Sequence, residues 1–168
     1  MQEIALRHVP HAVCIVPVKR EEVTTEGGLE VARSENMLGD FIAPLREAGI
    51  RVSLFIGHEA EQIDAASRIG AAVVELHTGA YCDFHYAGED DKRDVELARL
   101  ADGARFAHAL GLEVHAGHGL TYETVGPVAA MPEVMELNIG HFLVGEAIFR
   151  GLDGAIREMC RLMAEARA

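Results

Sequence analysis

The sequence predicts an α/β protein built on a parallel sheet, on three observations. Short apolar runs rich in β-branched residues recur along the chain, a helical pattern follows nearly every one, and the histidines and glycines collect where the runs end. Strand, helix and strand in alternation, joined by right-handed crossovers, give either a doubly wound open sheet or part of a (β/α)8 barrel. In both, ligands bind at the carboxyl ends of the strands.

Five strands are expected, at "HAVCIVP" (11–17), "RVSLFIG" (51–57), "AAVVELH" (71–77), "LEVHAG" (112–117) and "MELNIG" (135–140). Helices are expected at 34–49, 58–70, 90–111 and 121–131; the first three close on Gly49, Gly70 and Gly111, which suit the left-handed C-terminal position. The last helix shows an apolar face of Leu152, Ala155, Ile156, Met159, Cys160, Leu162 and Met163, with Arg157, Glu158, Arg161 and Glu165 between them. Alternation within "VVELH" puts Glu75 and His77 on one face, and His115 falls on one face of the fourth strand. Polar residues on inward positions near strand ends, Asn138 among them, suit the mouth of a barrel.

A chain of 168 residues, 49% hydrophobic, is enough for one domain with a real core. Its formal net charge of -12 argues against nucleic acid or an anionic membrane as partner. Small phosphorylated ligands stay open, because backbone amides bind them without cationic side chains. No apolar run approaches the roughly 18–20 residues of a membrane span, and "MQEIALRHVPH" lacks a signal-peptide layout, so a cytoplasmic protein is expected. Cys14, Cys82 and Cys160 have no C-x-x-C spacing, which fits reduced thiols; Cys14 and Cys160 are expected to be packing residues.

His118 stands between Gly117 and Gly119 at the end of the fourth strand. Flanking glycines let a ligand approach the backbone, and imidazole is the side chain best matched to proton transfer near neutral pH, so His118 is the candidate general acid. On spacing alone, a solvent-facing loop histidine fits equally well. "NIGHFLVGEAIFRG" reads as a phosphate cup, with the amide of Gly140 exposed and a short helix starting near His141 or Phe142; an ordinary tight turn is the alternative. In "EVTTEGGLEV", Thr24 or Thr25 is placed to bind a substrate oxygen, or equally to shape a turn. His77, His115, His118 and His141 raise a metal alternative, but the H-x-x-H of His115 and His118 lies across a strand and its exit rather than on one helical face. No metal is expected. Neither G-x-x-x-x-G-K nor G-x-G-x-x-G occurs, so no nucleotide cofactor is expected either.

The blocks "VPVKREEVTTEGGLEV", "AGIRVSLFI", "ELHTGAY", "HAGHGLTYETV" and "ELNIGHFLVGEAIFRGL", in this order, resemble the pyridoxine 5'-phosphate synthase family over nearly the whole chain. That resemblance implies a (β/α)8 TIM barrel, usually a homo-octamer, which condenses 3-amino-2-oxopropyl phosphate with 1-deoxy-D-xylulose 5-phosphate. It implies His118 as proton donor, and Gly119, Gly140, His141 and Thr24 as contacts to the phosphorylated substrate or product. It also implies that family members carry three further β/α units before the point matching Met1, with an asparagine, an Asp-His pair, arginines, and a histidine and a glutamate that accept protons. None of these motifs is found here, so the expectation is a single domain holding strands four to eight of an incomplete barrel. Alone it is expected to lack synthase activity and to self-associate, with a non-catalytic module that binds phosphorylated ligands as the alternative.

Overall fold

A computed structural model describes residues 1–17 and 27–168 of the chain. Its five strands, β1 (Ala12–Ile15), β2 (Arg51–Ile56), β3 (Val73–His77), β4 (Glu113–Gly117) and β5 (Val134–Asn138), pair in parallel and in sequence order. A doubly wound sheet reverses its strand order at a switch point, whereas consecutive β/α units of a barrel do not. The unbroken order therefore identifies an arc of a (β/α) barrel, the alternative that the family resemblance implies. Among the described residues eight helices accompany it: α1 (Gln2–His8), α2 (Glu35–Glu47), α3 (Ala60–Arg68), α4 (Gly79–Ala87), α5 (Asp90–Ala109), α6 (Val125–Ala129), α7 (His141–Arg150) and α8 (Leu152–Glu165).

The core lies between the outer face of the sheet and the helices. Val52, Leu54 and Ile56 on β2 alternate outward with Val74 and Leu76 on β3, and they are buried in one cluster with Ile42, Leu45, Ile63, Leu100 and Ala104. A smaller cluster of Val125, Ala129 and Met159 packs α6 against α8. The inward face is different. Register aligns Phe55, Glu75, His115 and Glu136 in one row, and His77, Gly117 and Asn138 in the row above. A shift in pairing at Val114/His115 brings Glu136 rather than Met135 opposite His115.

The structure departs from the sequence expectations at four points. Helix α4 was not anticipated after "ELHTG", and α6 is confined to five residues because Tyr122, Glu123 and Thr124 form a turn. On α8 only Ala155 and Met159 are buried; Leu152, Ile156 and Cys160 are exposed, because the helix meets α6 and α7 through one edge of its apolar stripe. Cys14 is exposed rather than packed, since it points to the inward side of edge strand β1, and its thiol donates to Oε2 of Glu75 at 3.5 Å. No described helix is long and apolar enough to cross a membrane.

Candidate functional site

The strand ends open into a cleft of about 860 Å³, a size suited to a small ligand. On one wall stand Phe55, Glu75, His77 and His118; on the other lie Asn138, Gly140 and His141. Gly119, Leu120 and Thr121 join the two. The structure thus brings together His118, Gly119, Gly140 and His141, four of the five site residues expected from sequence. The fifth, Thr24, lies outside the described residues.

His118 has φ +83° and Gly119 φ +82°, so two successive residues occupy the left-handed region. For a side chain other than glycine this conformation is strained by roughly 1–3 kcal/mol and persists only where the surroundings impose it. Thr78 imposes it here. Its fully buried hydroxyl lies 2.7 Å from the carbonyl oxygens of both Gly117 and His118, and its own N–H donates to Gly117 O at 2.8 Å. The β3–α4 junction is thereby tied to the exit of β4. The flanking glycines have separate reasons: a Cβ on Gly117 would stand 2.6 Å from Glu75 Oε1 and 2.7 Å from Asn138 O, while one on Gly119 would stand 3.2 Å from Cys82 Cβ.

Beneath His118 the inward row carries acid. Burial pushes the Glu75 carboxyl above the usual carboxylate range, against hydrogen bonds from Cys14 and Asn138 and the charge of His115, which favour its ionised form. Such a group can hold a proton where an exposed carboxylate would not. Cys14 itself is pushed up to about 12 by burial in the fold and by Glu75, so it is a thiol rather than a thiolate, despite the exposure of its residue surface. His115 is turned away from the cleft chemistry, with Nε2 2.8 Å from Glu113 Oε1 and Nδ1 3.7 Å from Glu136 Oε1.

At the other wall α7 begins at His141 with Gly140 as its N-cap, as "NIGH" suggested. The first intrahelical bond is Val144 N–H to Gly140 O, so the amides of His141, Phe142 and Leu143 have no helical acceptor and face the end where an anion is stabilised. A Cβ at Gly140 would meet nothing within 4 Å, which leaves the approach open. Tyr122 ties both C-terminal helices to the β4 loop: its ring meets Phe142 of α7 edge-on at 4.6 Å, and its hydroxyl donates to Ala155 O of α8 at 3.0 Å. Among the described residues no three His, Cys, Asp or Glu side chains converge as metal ligands. Sequence reasoning did not find Thr78 or Tyr122. The signal for Thr78 was a hydroxyl residue directly after a strand and before Gly79, the N-cap pattern of α4.

Comparison with known proteins agrees with this architecture. A solved xylose isomerase domain protein from Planctomyces limnophilus superposes with a TM-score of 0.58, covering 96% of this chain and 66% of its own, at 16% identity, which is a likeness of fold alone. Proteins named pyridoxine 5'-phosphate synthase are 74% identical in Roseobacter denitrificans and 73% in Ruegeria pomeroyi, each over all 168 residues. One from Jannaschia sp. is 65% identical over 167 residues. The chain spans 68%, 68% and 67% of these three relatives, about two thirds of their length. Residues 1–165 match the family model described as "Pyridoxal phosphate biosynthesis protein PdxJ". The chain belongs to the PdxJ family of pyridoxal phosphate biosynthesis proteins.

Proposed function

We propose that this chain supplies one side of a pyridoxine 5'-phosphate synthase site, which condenses 3-amino-2-oxopropyl phosphate with 1-deoxy-D-xylulose 5-phosphate to give pyridoxine 5'-phosphate, phosphate and water. His118 serves as proton donor, and Gly119, Gly140 and His141 hold the phosphorylated ligand, with Thr24 as a further contact. The observation that carries the reading is the joint placement of His118 and the free amides at the start of α7 on one cleft. A phosphate at Gly140 would anchor a small ligand while its reacting end reaches the imidazole. Residues 1–168 act as one barrel domain of a cytoplasmic homo-oligomer, an octamer in the reading taken from the family. The ring closure uses no metal or organic cofactor in this proposal.

A second reading, a non-catalytic module that binds phosphorylated ligands, is favoured by the sparse acid–base equipment of the described cleft. Beside His118, on its own wall, it offers Glu75 and a half-buried His77. Titration calorimetry with pyridoxine 5'-phosphate tests the binding that both readings require. Turnover of both substrates separates them: the first expects it in material carrying the whole barrel and its loss by about 10²- to 10⁴-fold in His118→Asn, with binding retained. Turnover unchanged in that variant removes His118 from the mechanism, and binding without any turnover selects the module. Light scattering on the purified chain measures the oligomer.

A further inference from the structure

His77 ends β3 on its inward side, with its backbone in register with Gly117 on β4. Its ring lies against the ring of His118 in a stacked pair, centroids 4.8 Å apart and planes inclined by 27°. Phe55 meets His77 edge-on at 5.0 Å and reaches His118 at 6.2 Å. Two glycines leave room for this arrangement. A Cβ on Gly79 would stand 2.5 Å from His77 Cε1 and 3.2 Å from His118 Cδ2; one on Gly27, whose φ is +94°, would stand 3.2 Å from the same His77 carbon. Any side chain at Gly79 would displace the pair.

We infer that His77 is a positioning residue for His118: its ring is a flat plate, braced by Phe55 and seated between Gly27 and Gly79, that fixes the direction of the His118 imidazole in the cleft. The inference rests on the reading of His118 as proton donor. The backbone ties from Thr78 fix where the chain turns at His118, but they leave its side-chain torsions free, and a proton donor must be held within hydrogen-bond reach of its acceptor. Contact with a ring face supplies that restraint. The plate is uncharged in the working range. Burial first, then the facing His118, lower His77 to about 4, while Asp83 on α4 and Glu96 on α5 act weakly the other way. An uncharged plate tolerates a proton on its partner, whereas a second cation at 4.8 Å would oppose it.

The test is nuclear magnetic resonance of the His118 imidazole in the 168-residue chain, comparing wild type with His77→Phe, which keeps a flat uncharged ring, and His77→Gln, which keeps bulk without one. Thermal melts and amide spectra establish that each variant folds. In wild type and His77→Phe the His118 ring protons are expected to keep the same ring-current displacement and a single side-chain rotamer. In His77→Gln the displacement shrinks to what Phe55 contributes from 6.2 Å, and the rotamer averages. Wild-type His118 signals in His77→Gln, or their loss in a folded His77→Phe, would overturn the inference. If His77→Gln does not fold, His77→Leu replaces it with the same two outcomes. Unchanged turnover in His118→Asn would sink the proton-donor reading without altering these resonances, so the two ideas fail separately.

Discussion

Replacing Thr78 by valine removes one hydroxyl and little else, since the two side chains have nearly the same shape. In the native chain that hydroxyl is completely buried, 2.7 Å from each of two carbonyl oxygens. Gly117 O retains a donor, the Thr78 N–H at 2.8 Å. Among the described residues the His118 carbonyl keeps only the Cys82 thiol, at 3.9 Å, a weak substitute. The change therefore costs one hydrogen bond and leaves one acceptor partly desolvated, about 1.5 kcal/mol in all. For a chain of this length that is a fall in Tm of roughly 3–6 °C. A second effect is more telling. The left-handed backbone at His118 stores roughly 1–3 kcal/mol, comparable to the bond removed, so Thr78→Val should let His118 and Gly119 relax. Calorimetry reads the first effect and the backbone chemical shifts of His118 and Gly119 the second; Thr78→Ser, which restores the hydroxyl, should recover both. A Thr78→Val protein that melts with wild type and keeps wild-type shifts at His118 and Gly119 would refute this account.

Further outcomes follow from buried charge and close backbone contacts. Glu96 is 3% exposed, with its Oε1 3.3 Å from His58 Nδ1. This hydrogen bond is the main reason that His58 is raised above the ordinary histidine value and Glu96 held below the usual carboxylate range. The His58 contribution is full below its unfolded pKa and is lost as pH rises through the raised one; that of Glu96 is full above its unfolded pKa and is lost as pH falls through the lowered one. Unfolding free energies from urea titrations between pH 3 and 9 should therefore show a plateau near pH 6, which Glu96→Gln lowers by about 1–2 kcal/mol while flattening both flanks; identical profiles would count against the pair. Gly117→Ala should cost about 1–3 kcal/mol, because its Cβ meets the fixed carbonyl of Asn138, whereas Gly140→Ala should be neutral to stability and weaken binding of pyridoxine 5'-phosphate. Glu75 is raised by burial, so its contribution is present at low pH and lost as pH rises through the raised pKa; Glu75→Gln should gain stability over wild type at pH 8 and lose that advantage below pH 4.

All five strands were legible because each is a short apolar run, and the β3 pattern of buried Val73 to Leu76 ending at half-buried His77 is what a central parallel strand imposes. Alternation also placed Glu75 and His77 inward. Helix α4 escaped because only Gly79, Tyr81 and Cys82 are buried along it, too few to print an apolar stripe. The apolar face of α8 was read correctly as a pattern and wrongly as a burial map, since periodicity shows which residues share a face but not whether anything covers it. The same limit hid the center of the site. His77 and His118 are separated by 40 intervening residues, and only the parallel register that sets His77 beside Gly117 brings their rings together. The turn at His118 was marked by its glycines; its strain and the Thr78 tie were not, because both are properties of φ and of partners distant in sequence.

The described lining of the cleft holds no lysine or arginine, in a chain of formal net charge -12. An anion bound there by the proposed route would depend on backbone amides, and a fixed carboxylate on the same cleft would oppose it. The burial of Glu75 eases that conflict by raising its carboxyl above the usual carboxylate range. Desolvation favours its neutral form, and a phosphate nearby would favour it further, so ligand and proton should bind together rather than compete. The inward row of a barrel strand thus does more than fill space: it keeps an acid protonatable beneath His118, on the same wall of the cleft, while the helix start at Gly140 supplies the positive end. Among the described residues, the proposed route would hold a phosphorylated ligand through burial and dipole orientation rather than through cationic side chains, and so would be compatible with the acidic composition of the chain.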